Sequence, residues 1–340
     1  MVTLRDVARA AGVSLATASR ALSDAPHVSA TNREQVARAA QSLGYRPHPA
    51  ARALTTGSTG TVGLVVPDLA NPFFAAVAKG VQARARETGR EVLVADTDED
   101  VTVEPDVITR LADRVDGLVL CSPRMSADAL GDVASGGRVA LVNREAPGVP
   151  SVSFDIADGV RQALDHLRAL GHDAVAYVGG PRGSWSDAER RAASSALAGD
   201  ALLDLGSFRP THGGGVQAAD LALAAGATAV LCFNDLVALG VLARLHARGV
   251  AIPDDVSVVG FDDVAAASLV TPALTTVAVP LARAGREAVD LLAPGGDAPH
   301  RRLPVELVVR SSTAPVAPAA DRRTPRTTVP RSTDPEVVIR

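Results

Sequence analysis

The stretch Thr3–Ser29, TLRDVARAAGVSLATASRALSDAPHVS, holds one Gly and one Pro in a run that otherwise reads as helix. Its polar residues are nearly all Arg, Ser or Thr. The first helix is expected over about 4–11, with Val7 and Ala11 on one face. Gly12-Val13-Ser14 interrupts it, and Ser14 is a good N-cap for a second helix over about 15–23. Pro26 ends the connection, Ser29 caps a third helix reaching about Leu43, and Gly44 stops it. On the second helix Leu15, Ala16, Ser19, Arg20 and Ser23 fall within a stripe about 140° wide. Ala18 and Leu22 lie side by side elsewhere on that helix and meet the first one at small Ala8 and Ala11. An exposed stripe of short side chains with one Arg suits a helix lying deep in a DNA major groove, the Arg pairing with guanine. A plain three-helix bundle with a solvated face has the same spacing.

Working outward, charge is unevenly spread. Residues 1–57 carry seven Arg against Asp6, Asp24 and Glu34, and residues 311–340 carry five Arg against three acids. The net charge of the chain is nevertheless −4, so residues 58–310 are strongly acidic. A basic head on an acidic body points to a polyanionic partner for the head alone. A length of 340 residues, 47% of them hydrophobic and 21% charged, fits two or three packed units. No apolar run approaches the roughly 18–20 residues of a membrane span, and no basic-then-apolar leader is visible. Cys121 and Cys232 sit in the apolar runs GLVLCSP and AVLCFND, which reads as buried thiols in a reducing, cytoplasmic setting.

Residues 47–57 read as a linker and short helix, with Pro49 at its first turn and Gly57 at its end. From Thr61 the texture becomes α/β. VGLVVPD (62–68), EVLVADT (91–97), DGLVLCS (116–122), RVALVNR (138–144), AVAYVGG (174–180), TAVLCFND (228–235) and VSVVGFDD (256–263) read as strands. Helical stretches such as FFAAVAKGVQARARETG separate most of them. This alternation predicts parallel sheets with helices on both faces, arranged as two doubly wound lobes over residues 58–310. Residues 311–340, rich in Pro, Thr, Ala and Arg, read as a disordered tail.

Catalytic patterns are missing. The seven histidines show no metal-helix pair and no nearby Cys partner. Neither G-x-S-x-G, a phosphate-loop motif nor G-x-G-x-x-G occurs, and no cofactor is expected. Gly179-Gly180-Pro181-Arg182-Gly183 follows a strand but lacks Lys-Ser/Thr behind it, so a tight turn at a crevice is the simpler reading. Polar residues do recur at strand ends: Asp68, Asn71, Asn143, Asn234, Asp235, Asp262 and Asp263, with Arg190 on the segment after AVAYVGG. Carboxylates, amides and an Arg, with rings such as Phe73, Phe74, Phe154 or Trp185, suit a neutral polyhydroxyl ligand. Some of these carboxylates, Asp235 and Asp263 above all, read equally well as helix caps or surface turns.

The whole head, from TLRDVARAAGVSLATASRALSDAPHVS through TNREQVARAAQSLGYRPHPAARAL, resembles without a gap the headpiece of the lactose/purine repressor family of bacterial transcriptional regulators. The resemblance implies a helix-turn-helix headpiece over 1–46 and a hinge helix over 47–57. It implies that Leu15, Ala16 and Arg20 read bases, that Leu54 wedges into the minor groove at the centre of a palindrome, and that Ser14, Thr17, Ser19, His27 and Ser29 lie near phosphates. Asn32 stands where the family usually has Thr. The runs VGLVVPDLANPFF, RVDGLVL, LCFNDLVALGVL, IPDDVSVVGFDD and TPALTTV resemble that family's effector domain, itself similar to periplasmic sugar-binding proteins. By that likeness Asp68, Phe73, Asn143, Arg190, Asn234 and Asp262 contact a small-molecule effector of saccharide class.

The chain is therefore expected to be a cytoplasmic, nucleoid-associated homodimer on an operator, with no membrane partner. Departures from the family occur after Glu99 and between Ser194 and Gly215, where residues are missing, and at Val279, which replaces a residue that is often polar. Phe208 is a candidate stacking ring within the shortened segment. Two other readings stay open: a solute-binding protein without regulation, and a DNA-bound regulator with a decayed pocket that answers to a partner protein or to nothing.

Overall fold

The computed structural model describes residues 2–22, 28–45, 58–293 and 299–316. The head consists of α1 (Leu4–Ala10), α2 (Leu15–Leu22) and α3 (Ala30–Ser42). Each start is fixed by a side-chain cap. Thr3 and Asp6 form a reciprocal capping box on α1, the Ser14 hydroxyl accepts the Thr17 N–H at 3.0 Å, and the Ser29 hydroxyl accepts that of Asn32 at 3.3 Å. Gly12 turns the chain between α1 and α2 at φ +65°, a conformation that is cheap only without a Cβ. Val7, Ala8, Ala18, Ala21, Val36, Ala39 and Ala40 form the core of the head, with Ala11 and Leu22 packed at its edge. The expected meeting of α2 with Ala8 and Ala11 is thus seen, with Ala21 as an added contact.

The body holds two sheets of six strands. Elements alternate as β1 (Thr61–Val66), α4 (Pro72–Glu87), β2 (Glu91–Asp96), α5 (Glu104–Ala112), β3 (Gly117–Cys121), α6 (Ala127–Gly136), β4 (Val139–Val142) and β5 (Ser151–Phe154). The second series is α7 (Ile156–Ala169), β6 (Val175–Gly179), α8 (Trp185–Ala198), β7 (Leu202–Ser207), α9 (His212–Ala224), β8 (Ala229–Cys232), α10 (Asp235–Ala247), β9 (Ser257–Asp262), α11 (Ala266–Leu269) and β10 (Thr275–Ala278). The chain then returns through α12 (Leu281–Leu291) and β11 (His300–Leu303) to the first sheet, and ends in β12 (Glu306–Val308) on the second.

The strand orders are β11-β5-β4-β3-β1-β2 and β12-β10-β9-β8-β6-β7. All pairs are parallel except β10 with β12. Central strands are buried on both faces, which is why they read as continuous apolar runs. Three segments link the lobes: after β5, after β10 and after β11. Such a triple connection lets the lobes change their mutual angle about a few residues. In the first lobe α4 and α12 approach backbone to backbone, since a Cβ on Gly285 would stand 2.9 Å from the Val81 nitrogen.

Several expectations are corrected. The strands β5, β7, β10, β11 and β12 are additional to the seven expected, so the segment after Ser194 keeps both its strand and its helix despite its shortness. Residues 311–316 do not belong to a disordered tail. Ser312 is fully buried, its hydroxyl donates to the Val258 carbonyl at 2.6 Å and accepts the Thr275 N–H at 2.8 Å, and Val316 donates its N–H to the Leu170 carbonyl. Backbone groups in that strap are satisfied by the second lobe, which holds it in place. Cys121 and Cys232 are both buried, and burial pushes the Cys121 thiol up to about 12. Among the described residues no helix is long and apolar enough to cross a membrane. The hinge segment with Leu54, and His27, lie outside the described residues.

Candidate ligand cleft and reading helix

Loops leaving the C-terminal ends of both sheets face one cleft, where open α/β sheets take ligands. About 330 Å³ of space, open in part to solvent, lies between its walls. The first lobe contributes Asn71, Phe73, Phe74, Glu99, Ser122, Arg124 and Asn143, and the second Ser186, Arg190, Pro210, Phe233, Asn234 and Asp262. Four of these hold positive φ without being Gly: Glu99 at 56°, Ser122 at 49°, Asn143 at 57° and Asp262 at 116°. Each such residue costs roughly 1–3 kcal/mol, and the cost is tolerated where surrounding structure fixes it and function uses it.

Arg190 is the central cation. Its side chain is 4% exposed and lies 3.9 Å from the Asp262 carboxylate. Nη1 donates to the Ser186 carbonyl at 3.3 Å. The guanidinium stacks 3.9 Å from the Phe261 ring centroid and 4.9 Å from that of Phe233, an arrangement that stabilises a poorly hydrated cation. Its Nε is buried with no hydrogen-bond partner. Burial pushes the Asp262 carboxyl up and the Arg190 guanidinium down, while each partner opposes the other's shift. Across the cleft Asn143 donates from Nδ2 to the Ser122 hydroxyl at 2.9 Å, which leaves its Oδ1 buried and unpartnered. A buried polar atom without a partner costs about 1–3 kcal/mol.

Of the six residues singled out for this site, five line the cleft: Phe73, Asn143, Arg190, Asn234 and Asp262. Asp68 does not. Its Oδ1 accepts the Ala70 N–H at 2.7 Å, folding the turn that leads to Asn71. Asn234 lines the cleft but spends its amide elsewhere: Oδ1 caps α10 through the Val237 N–H at 2.9 Å, and Nδ2 donates to the Pro210 carbonyl at 3.2 Å. The rings also differ from expectation. Phe154 is core, edge-on to Phe73, and Trp185 and Phe208 pack against the cores. Phe233 is the second-lobe ring, seated where a Cβ on Gly180 would come within 2.6 Å of it. The Gly179–Gly183 run is therefore a tight turn at the crevice.

Glu99, Ser122, Arg124 and Phe233 were not foreseen. The strand-end rule that flagged Asn143 applies equally to Ser122 after β3 and to Phe233 after β8, whereas Glu99 and Arg124 enter the cleft wall through a pairing that this rule does not see.

Asp235, beside Asn234, is fully buried. It accepts the Thr276 hydroxyl at 2.5 Å and the Val264 N–H at 2.8 Å, fixing the loop that carries Asp262. Burial raises its carboxyl to about 7. The folded chain therefore keeps a proton that the unfolded chain releases near pH 4. The resulting stabilisation is complete below that pH and is lost as pH rises through about 7. The urea midpoint is expected to fall between pH 5 and pH 8, and Asp235→Asn to reduce that fall. Asp262 and Glu104, whose carboxyls burial also raises, add to the slope. An unchanged slope in the variant would place the titration elsewhere.

In the head, Leu15, Ala16 and Arg20 lie exposed along α2, with Thr17 and Ser19 half-buried beside them. Leu15 keeps 43% of its surface in water, an open apolar side chain on a helix only eight residues long. Ser14 and Ser29 accept helix N–H groups as caps, and the Ser14 hydroxyl also pairs with that of Thr17 at 2.8 Å.

Residues 3–48 match the profile of the bacterial regulatory proteins, lacI family, and residues 164–313 that of a periplasmic binding protein-like domain. The HTH-type transcriptional regulator GalR of Salmonella typhimurium is 37% identical over 316 residues, covering 88% of this chain and 91% of its own. A crystal structure of the lac repressor dimer bound to operator and the anti-inducer ONPF superposes with a TM-score of 0.81 at 30% identity, over 92% of this chain and 99% of that one. The transcriptional regulator CelR–cellobiose complex gives 0.68 at 30% identity, over 92% and 100%. Head and two-lobed body are matched together along these regulators, and the chain belongs to the lacI family as a DNA-binding transcriptional regulator, not an enzyme.

Proposed function

We propose that the protein binds a palindromic operator as a homodimer, acts as a repressor, and is controlled by a neutral saccharide held between its lobes. The observation that carries the effector reading is the set of polar side chains that line one cleft from both lobes, among them Asn143, Arg124 and Arg190. Sugar hydroxyls donate to the Asn143 amide oxygen and accept from the two guanidinium groups, while Phe73, Phe74 and Phe233 cover apolar sugar faces. Asp262 accepts a further hydroxyl. Asn234 serves by shaping the second-lobe wall. The cellobiose bound in the CelR complex is of the same chemical class.

On DNA, Leu15, Ala16 and Arg20 read base edges, and Ser14, Thr17, Ser19, His27 and Ser29 hold phosphates. Leu54 unstacks the central step of the operator. Two heads are needed because one makes too few contacts to be selective. Effector binding changes the angle between lobes, and the first lobes carry that change to the two hinge segments. A ligand shifts operator affinity only by its differential affinity for the two arrangements, about 1–3 kcal/mol of coupling in known cases. Calorimetric titration of the full chain with D-glucose, D-galactose, D-ribose and cellobiose tests the reading. Heat of binding from at least one is expected. Silence from all four favours a regulator with a decayed pocket.

A further inference from the structure

The cleft is built with an internal symmetry. Each lobe presents one buried arginine braced by one acid at positive φ. In the second lobe these are Arg190 and Asp262, and in the first they are Arg124 and Glu99. Arg124 Nη2 reaches both Glu99 carboxylate oxygens at 3.2 and 2.9 Å, and Nη1 donates to the Ser122 carbonyl at 3.2 Å. Its backbone N–H is held by both oxygens of the buried Glu104 at 3.0 Å. The Arg124 side chain is 7% exposed, lines the cleft, and leaves Nε buried without a partner. Glu104 is a brace, since it holds the Arg124 backbone and is absent from the cleft lining.

We propose that Arg124 and Glu99 form a first-lobe subsite for a vicinal diol, opposite Arg190 and Asp262, which restricts the effector to neutral polyols with a diol at each end. The inference rests on the saccharide reading above. One hydroxyl of the diol accepts an N–H of the guanidinium, and its neighbour donates to the carboxylate. Each guanidinium already faces its own carboxylate, so the subsite has no net charge to offer an anion. A ligand carboxylate or phosphate would meet Glu99 as a like charge in a poorly hydrated wall. Removing the Glu99 charge leaves a guanidinium free to make bidentate, charge-assisted bonds to an acidic sugar.

The test is calorimetry on the full chain and on Glu99→Gln, Arg124→Gln and Arg124→Lys. Probes are D-glucose and D-galactose, their uronates, and cellobiose, and circular dichroism melts report the fold. The wild-type chain is expected to bind a neutral sugar at least 10-fold more tightly than the matching uronate. Arg124→Gln is expected to lose at least 30-fold for whichever sugar binds. Arg124→Lys, which keeps the charge but has no Nε–H fork and survives if the glutamine variant misfolds, is expected to lose nearly as much. Glu99→Gln is expected to weaken the neutral sugar and reverse the preference toward the uronate, a change that a merely structural role does not produce. Sugar binding within threefold of wild type in both Arg124 variants overturns the inference and leaves the saccharide reading standing. So does a preference left unchanged in Glu99→Gln, whereas a wild-type preference for the uronate overturns the inference and the neutral-saccharide reading together. Absence of binding by every sugar to the wild-type chain overturns both.

Discussion

Arg190→Ala is expected to weaken saccharide binding by about 100-fold or more and to lower stability by about 3–5 kcal/mol. Both effects come from one geometry. The guanidinium is 4% exposed and faces Asp262 across 3.9 Å, with aromatic rings of Phe261 and Phe233 against it. Its loss removes the donor offered to the ligand and leaves a carboxyl in apolar surroundings with its compensating cation gone. The two effects are separable. In Arg190→Ala/Asp262→Asn the buried charge is gone as well, so stability is expected to recover in part while sugar binding stays lost. Thermal or urea unfolding reads the first and calorimetry the second. Sugar affinity unchanged in the single variant would remove Arg190 from the site. A double variant no more stable than the single would mean that stacking on the rings, not the ion pair, is what Arg190 contributes.

Arg20→Ala is expected to cost each head about 1–3 kcal/mol of operator affinity. A two-fold dimer carries the change twice, so the effect on the dimer is about twice that. Arg20 is exposed at the end of α2, and a surface ion pair or hydrogen bond at such a position is worth at most about 1 kcal/mol. Unfolding of the variant should therefore stay close to wild type. A base-reading Arg also leaves a particular signature. Discrimination is lost at one base pair in each half-site, while the salt dependence of binding stays nearly constant. Weakening that is uniform across sequences, with a shallower salt slope, would make Arg20 a phosphate contact instead.

The head was legible almost to the residue because its ends carry strong local chemistry. Ser14 and Ser29 cap, and Gly12 and Gly44 take positive φ. Central strands were legible because burial on both faces leaves continuous β-branched runs. Edge strands were not. The β11 sequence HRRL exposes three of its four residues, and the alternation in LLDLGS of β7 is too weak to announce a strand. The strap at 311–316 reads as loop because its order comes from Ser257, Val258, Thr275 and Leu170, all far away in sequence.

The site divides in the same way. Asn143 and Asp262 were legible as cleft residues from their places at strand ends, and Arg190 from the family resemblance and its place on the segment after AVAYVGG. Arg124 follows a Pro and reads as a surface cation. Its burial depends on Glu104, twenty residues away, and on Glu99, twenty-five away, and periodicity carries no information about such pairings. Asp68 misleads for the opposite reason, since a carboxylate after a strand can serve its own turn.

Coupling between cleft and operator is the central claim, and fluorescence anisotropy of a labelled palindromic operator, with and without a sugar bound by calorimetry, measures it. Saturating sugar is expected to change operator Kd by roughly 5–150-fold, and Arg190→Ala to abolish that change while leaving sugar-free operator binding intact. An operator Kd that does not move when the cleft is demonstrably filled is incompatible with effector control through the lobes.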